Sequence, residues 1–153
     1  VVDEELWVRG SSVMQGYYQM PKETEETRVD GWLRTGDLGY VDEEGFVYLT
    51  GRKKNLIITK NGENVSPEEL ENRLSEAPII QEVLVRESEG VIEAEIFPDA
   101  EYVEKKGVQD VRAALQQLID DWNKNAPAYK KIYRLKVRET EFPKTPSKKI
   151  KRY

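Results

Sequence analysis

The apolar residues change period twice along the second half of the chain, and that change restricts the fold more than any other feature. Ile92, Ala94 and Ile96 alternate with Glu93 and Glu95, the two-residue repeat of a strand with one apolar and one polar face. Val108, Val111, Leu115, Leu118, Ile119 and Trp122 then fall three and four apart, a single stripe along a helix that should end near Asn125 to Pro127. From Tyr133 the two-residue period returns, with Leu135 and Val137 set against Arg134, Lys136 and Arg138. This is a last strand with one wet, basic face. Upstream, 82–86 reads as a strand joined to 91–97 by a Glu-Ser-Glu-Gly turn, so the two should pair as a hairpin.

The stretch 56–59, Leu-Ile-Ile-Thr, is strand-like, and Lys-Asn-Gly-Glu-Asn at 60–64 turns the chain. A helix start follows. Ser66 stands at the N-cap, Pro67 at the first helical position, Glu69 completes a capping box, and Val65 with Leu70 has the spacing of a hydrophobic staple. The order from 54 to 138 is therefore β-α-β-β-α-β, an α+β lobe with a mixed sheet and covering helices. Residues 1–53 are punctuated differently, with glycines at 10, 16, 31, 36, 39 and 45. Their sharpest element is 39–49, two apolar runs around Asp-Glu-Glu-Gly, a hairpin signal. The polar stretch 21–30 reads as a surface loop or a short exposed helix. We expect two domains, 1–53 and 54–153, with the boundary at Lys53 and Lys54.

Composition removes several chemistries. The chain has 153 residues with no Cys and no His, so disulfides, thiol nucleophiles, imidazole bases and Cys/His metal sites are excluded. No window approaches the roughly 20 apolar residues of a spanning helix. The first residues lack a basic start followed by an apolar run. The expectation is a soluble, cytoplasmic protein, and the strand-like opening without an initiator Met suggests a piece of something longer. Charge is uneven: residues 130–153 hold ten Lys and Arg and two acids, a local +8, which leaves −13 on the rest of a chain whose net charge is −5. A basic tail on an acidic body is either a polyanion contact or a solvated end. Nucleic-acid binding is disfavoured, because the body is acidic and the tail lacks interleaved aromatics on which bases stack.

Three local patterns could carry chemistry. In Arg-Thr-Gly-Asp-Leu-Gly (34–39) the acceptor-only carboxylate of Asp37 lies between glycines and suits a vicinal diol; an Asx-turn is the plainer explanation. Arg52, just after Gly51, could reach ribose or phosphate oxygens with its five donors, or could simply pair with a surface acid. Pro-Lys-Thr-Pro-Ser-Lys-Lys-Ile (143–150) presents lysines on a proline-stiffened loop that could neutralise charge on a phosphate and an attacking carboxylate; a disordered basic terminus is its alternative.

In this order and spacing the three patterns resemble the end of the adenylate-forming superfamily, which includes acyl-CoA synthetases, luciferases and peptide-synthetase adenylation domains. Asp-Gly-Trp-Leu-Arg-Thr-Gly-Asp-Leu-Gly-Tyr (30–40) is similar to the close of the large N-terminal domain. Gly-Arg-Lys-Lys-Asn-Leu-Ile-Ile through Glu-Glu-Leu-Glu (51–71) is similar to the hinge and the opening of the small C-terminal domain. The final Pro-Lys-Thr-x-Ser-x-Lys resembles the catalytic-lysine loop. A Lys at the hinge and Asn-Gly-Glu-Asn-Val (61–65) look most like bacterial long-chain fatty acid–CoA ligases.

The resemblance implies a two-step reaction. A carboxylate and ATP with Mg2+ give acyl-AMP and pyrophosphate, and the thiol of coenzyme A then displaces AMP. It further implies that Asp37 holds the ribose hydroxyls, Arg52 supports ribose or phosphate, Lys54 is the hinge, Gly62 leaves room for pantetheine and Lys149 is the catalytic lysine. Lys148 departs from the pattern, since the family usually has Gly there. The family's phosphate loop and acyl pocket precede this stretch, so ATP, Mg2+ and coenzyme A would be bound mainly by the N-terminal domain of the same chain, and the piece alone should be inactive. Expected partners are a small-molecule carboxylic acid, ATP and CoA, with peripheral membrane contact of the parent and self-association of the piece also considered. The competing reading is a non-catalytic module that docks an acidic carrier protein or another domain.

Overall fold

The computed structural model describes residues 1–152, which divide into two compact units, Val1–Leu56 and a second that begins at Ile57. In the first unit, β1 (Glu5–Val8), α1 (Pro21–Thr27), β2 (Arg28–Val29), β3 (Trp32–Val41) and β4 (Val47–Arg52) follow one another, and a 3-10 turn at Lys53–Asn55 closes the series. The long strand β3 lies between β1 and β2 and also pairs with β4, all antiparallel. The expected 39–49 hairpin is present. Its turn forms because the Asp42 carboxylate accepts the Glu44 and Phe46 N–H groups at 3.0 and 2.8 Å, the local capture that makes Asp a turn residue. The stacked rings of Tyr40 and Tyr48, 5.0 Å apart, sit across the two strands. Residues 21–27 are the short exposed helix rather than the loop.

The second unit runs β5 (Ile57–Ile58), β6 (Asn64–Val65), α2 (Pro67–Leu74), β7 (Ile80–Ser88), β8 (Val91–Pro98), α3 (Ala100–Lys106), α4 (Val111–Asn125) and β9 (Ile132–Val137). Its sheet has the order β7-β8-β9; β7 and β8 are antiparallel, β8 and β9 parallel, so the sheet is mixed. The strand expected at 56–59 shortens to two residues and pairs with β6, outside that sheet. Leu70 and Leu74 of α2 and Leu115 and Ile119 of α4 pack with Val83, Val85, Ala94 and Ile96 of the sheet in one buried core. Each Leu, Ile or Val side chain among them contributes about 1.5–3 kcal/mol on burial.

Helix boundaries differ from expectation where a cap overrides the apolar stripe. The stripe began at Val108, but Gly107 takes a left-handed φ of 63° and ends α3, while Asp110 caps α4 by accepting the Ala113 N–H at 2.9 Å. The capping box at Ser66 does not form. Its side chain makes no cap bond, its hydroxyl lies 3.2 Å from Glu68 Oε2, and Glu69 is drawn 2.8 Å from Lys130 Nζ. Among the described residues no helix is long and apolar enough to cross a membrane.

Candidate active site

In the first unit the register of β3 against β4 sets Asp37 opposite Arg52. Arg52 Nε lies 2.8 Å from Asp37 Oδ1, with both side chains partly exposed. The backbone before Asp37 is held by two side chains. Thr35 Oγ1 donates to the Leu6 carbonyl at 2.7 Å and accepts the Asp37 N–H at 3.0 Å, and the Gly36 N–H, at a φ of 71° that favours glycine, donates to Glu5 Oε1 at 3.0 Å. Glu5 is 2% exposed. Burial acts to raise its carboxyl, but hydrogen bonds from Lys53 and Gly36 outweigh this and hold it below the ordinary carboxylate value. Nothing in the sequence pattern singled out Glu5, which lies in an opening that reads only as strand-like. A surface hollow of about 340 Å³ is lined by Gly36, Arg52, Lys53 and Lys54. Asp37, Arg52 and Lys54 are therefore gathered in one small region, with Lys54 exposed in the 3-10 turn that follows Arg52.

In the second unit Gly62 and Lys149 stand on different turns. Gly62 occupies the β5–β6 turn at φ 84°, its N–H bonded to the Thr59 carbonyl at 2.9 Å, and a Cβ there would meet open space. Thr59, Lys60, Asn61 and Glu63 of this turn border a cavity of about 560 Å³ with Tyr129 and Tyr133. Lys149 belongs to an ordered hairpin rather than a loose terminus. The Thr145 N–H donates to the Lys149 carbonyl at 2.8 Å, the Lys148 N–H to the Thr145 carbonyl at 2.9 Å, and the Lys151 N–H to the Pro143 carbonyl at 2.9 Å. Lys148, the departure noted in the motif, is left-handed at φ 62°. The conformation that glycine usually supplies is adopted by a lysine.

The cations of this region are in different states. Lys144 is committed to Glu82 and Glu141, which hold its ammonium above the ordinary value. Arg152 is paired with Glu71 and Glu68. Lys149 is exposed and, among the described residues, forms no ion pair. An exposed ammonium on a braced turn is available to a ligand's negative charge. Among the described residues no cluster of three or more His, Cys, Asp or Glu could hold a metal ion.

A mixed sheet with a hairpin beyond its last strand, on which Lys148, Lys149 and Lys151 are exposed and form no ion pair among the described residues, defines a lysine-presenting α+β lobe. The chain belongs to the AMP-binding enzyme C-terminal domain family, whose model matches residues 54–153. It is 48% identical over 103 residues to the long-chain-fatty-acid–CoA ligase FadD15 of Mycobacterium tuberculosis, covering 67% of this chain and 17% of that protein. It is also 48% identical over 81 residues to the 2-succinylbenzoate–CoA ligase of Bacillus cytotoxicus, covering 53% of this chain and 17% of that one. Among solved structures, the o-succinylbenzoate CoA synthetase of Bacillus subtilis in complex with its acyl-adenylate intermediate matches at a TM-score of 0.77 and 32% identity, covering 95% of this chain and 28% of that one. The chain thus spans under a third of the proteins it matches.

Proposed function

We propose that this chain is the C-terminal part of an ATP-dependent acid–thiol ligase whose preferred acid is a long-chain fatty acid. The observation that carries the reading is Lys149: exposed, free of ion pairs among the described residues, and held on a hydrogen-bonded hairpin. In the first half-reaction a carboxylate oxygen attacks the α-phosphorus of ATP and pyrophosphate leaves. The Lys149 ammonium balances charge on the attacking oxygen and the phosphate, a task for a fixed donor in a site that excludes water. In the second, the sulfur of coenzyme A attacks the acyl carbon and AMP leaves. Asp37 receives the ribose hydroxyls, Arg52 supports ribose or phosphate, the open space over Gly62 admits the pantetheine arm, and Lys54 is the hinge about which the C-terminal domain turns between the two half-reactions. A boundary at Lys53 and Lys54 and a cytoplasmic address go with this reading.

The names of the similar ligases support the reaction class, and FadD15 supports the long-chain acid. The 2-succinylbenzoate ligases match about as well, so the acid is the part that needs measurement. The test uses the full-length enzyme with a panel of carboxylic acids, read by pyrophosphate release. Lys149→Ala should lower adenylation by at least about 100-fold, as loss of one oxyanion donor does. Adenylation at the unsubstituted rate would overturn the reading. The 153-residue chain alone should release none.

A further inference from the structure

The internal bonds of the 143–151 hairpin fix its shape but not its location. Location is set at its two ends. At the entering end a single guanidinium gathers the chain. Arg138 Nη1 donates to Glu95 Oε1 at 2.8 Å, its Nε to the Thr140 carbonyl at 3.0 Å and its Nη2 to the Glu141 carbonyl at 3.3 Å, while the group lies 4.4 Å over the Phe142 ring. The Phe142 N–H then donates to Glu82 Oε2 at 2.9 Å, and Lys144 pairs with the same carboxylate. At the leaving end Arg152 Nη2 lies 2.5 Å from Glu71 Oε2 and 3.5 Å from Glu68 Oε1, and Nη1 reaches the Val85 carbonyl at 3.5 Å. The other oxygen of Glu71 accepts the Val85 N–H at 2.8 Å.

Glu82 and Val85 are three residues apart on β7, about 10 Å along a strand. Both ends of the hairpin are thereby tied to one strand of the sheet. The side chains that make the ties are largely buried, Glu95 at 3%, Glu82 at 10%, Glu71 at 14% and Arg152 at 20% exposure. Only a guanidinium has the planar fork that holds a carboxylate and a carbonyl together, and a lysine in its place keeps the charge but not the geometry.

We propose that Arg138 and Arg152 are positioning residues for Lys149, two guanidinium clamps that fix where the hairpin delivers the amine. The inference rests on the function proposed above. Neither arginine touches the reacting atoms; both act through the placement of the Lys149 backbone. The side chain of Lys149 is long and flexible, so its amine finds the reacting oxygens only if its Cα is in register, and a displacement of about 1 Å can cost about 100-fold in rate.

The experiment compares Lys149→Ala, Arg138→Ala, Arg152→Ala and Arg152→Lys in the full-length enzyme. It measures pyrophosphate release and, separately, thioester formation from supplied acyl adenylate. Each Arg→Ala variant should lose about 10- to 100-fold in adenylation kcat, with the KM for ATP within about threefold and thioester formation within about twofold. Arg152→Lys should fail to restore the rate. Hydrogen exchange on the 153-residue chain gives an independent readout, in which the Phe142 and Lys151 amides should exchange at least about tenfold faster in Arg138→Gln and Arg152→Gln, respectively. Unchanged protection of these amides overturns the inference, even where an alanine variant fails to fold. So does adenylation within twofold of the unsubstituted enzyme, or equal loss in both half-reactions. Full adenylation by Lys149→Ala would instead overturn the functional reading; an inactive Lys149→Ala beside normal arginine variants overturns the positioning role alone.

Discussion

Lys148 is left-handed at φ 62° beside Lys149. That backbone costs an L-residue roughly 1–2 kcal/mol, and the surrounding hairpin bonds sustain it. A β-branched replacement tolerates it worst, so Lys148→Val should weaken the hairpin by about 1–2 kcal/mol, seen as faster exchange of the Lys151 amide while the melting temperature of the core is unchanged. Glu95 lies among Arg86, Lys136 and Arg138 at 2.9, 3.3 and 2.8 Å. Burial acts to raise its carboxyl, but hydrogen bonds from Arg138 and Lys136 and the charge of Arg86 prevail and lower it. A depressed carboxylate contributes stability above its unfolded value, and that contribution is lost as pH falls through the folded one. Glu95→Gln should therefore lower stability at neutral pH and flatten the acid limb of denaturation curves recorded across pH. The prolines and lysines of 143–150 left a disordered basic terminus open, and only the register of the family resemblance singled out Lys149; the hydrogen-bonded hairpin around it was not legible. Nor was Glu95: alternation assigns an acid to the wet face, and only the sheet pairing reveals that three cations from β7, β9 and the chain just beyond β9 close over it.

Leu115 is fully buried against the sheet. Leu115→Ala should cost about 2–5 kcal/mol, read as a shift in the denaturant midpoint with no change of slope. The stripe that located α4 in the sequence is the same one that buries Leu115 and Ile119, which is why this helix was legible in kind. Its start was not, because Val108 packs on the core from outside the helix while Gly107 and Asp110 mark the break. The α3 helix went unread for a related reason: Tyr102 and Val103 alone give too short an apolar run to show a period, and its evidence lies in the Asp99 cap on the Tyr102 N–H. The Ser66 signature placed the start of α2 correctly, with Ser66 at the N-cap and Pro67 first, but its capping-box bonds do not form. Its Glu69 found a cation sixty-one residues away in Lys130, a partner that no local pattern contains.

The two units are unequally built. Every member of the principal buried core lies in the second, whereas Leu38 is the one buried hydrophobic side chain of the first, and Val41, Phe46, Val47, Tyr48 and Leu49 of its hairpin region are exposed. A segment of this size with so little burial has scant means to offset its conformational entropy. Hydrogen exchange on the isolated chain should find the slowest amides in β7, β8 and α4, and exchange throughout β3 and β4 at least about 100-fold faster; equal protection in both would refute this asymmetry. The same contrast explains what the sequence could say of the halves, since periodicity reports a core only where there is one. The outer edge of β7 has a further consequence. At Val85 both backbone groups face away from β8 and are taken by Glu71 and by the Arg152 guanidinium. Two side chains thus plug the outer edge of β7 at this point, and truncating Arg152 would bare a carbonyl to which a stray strand could add.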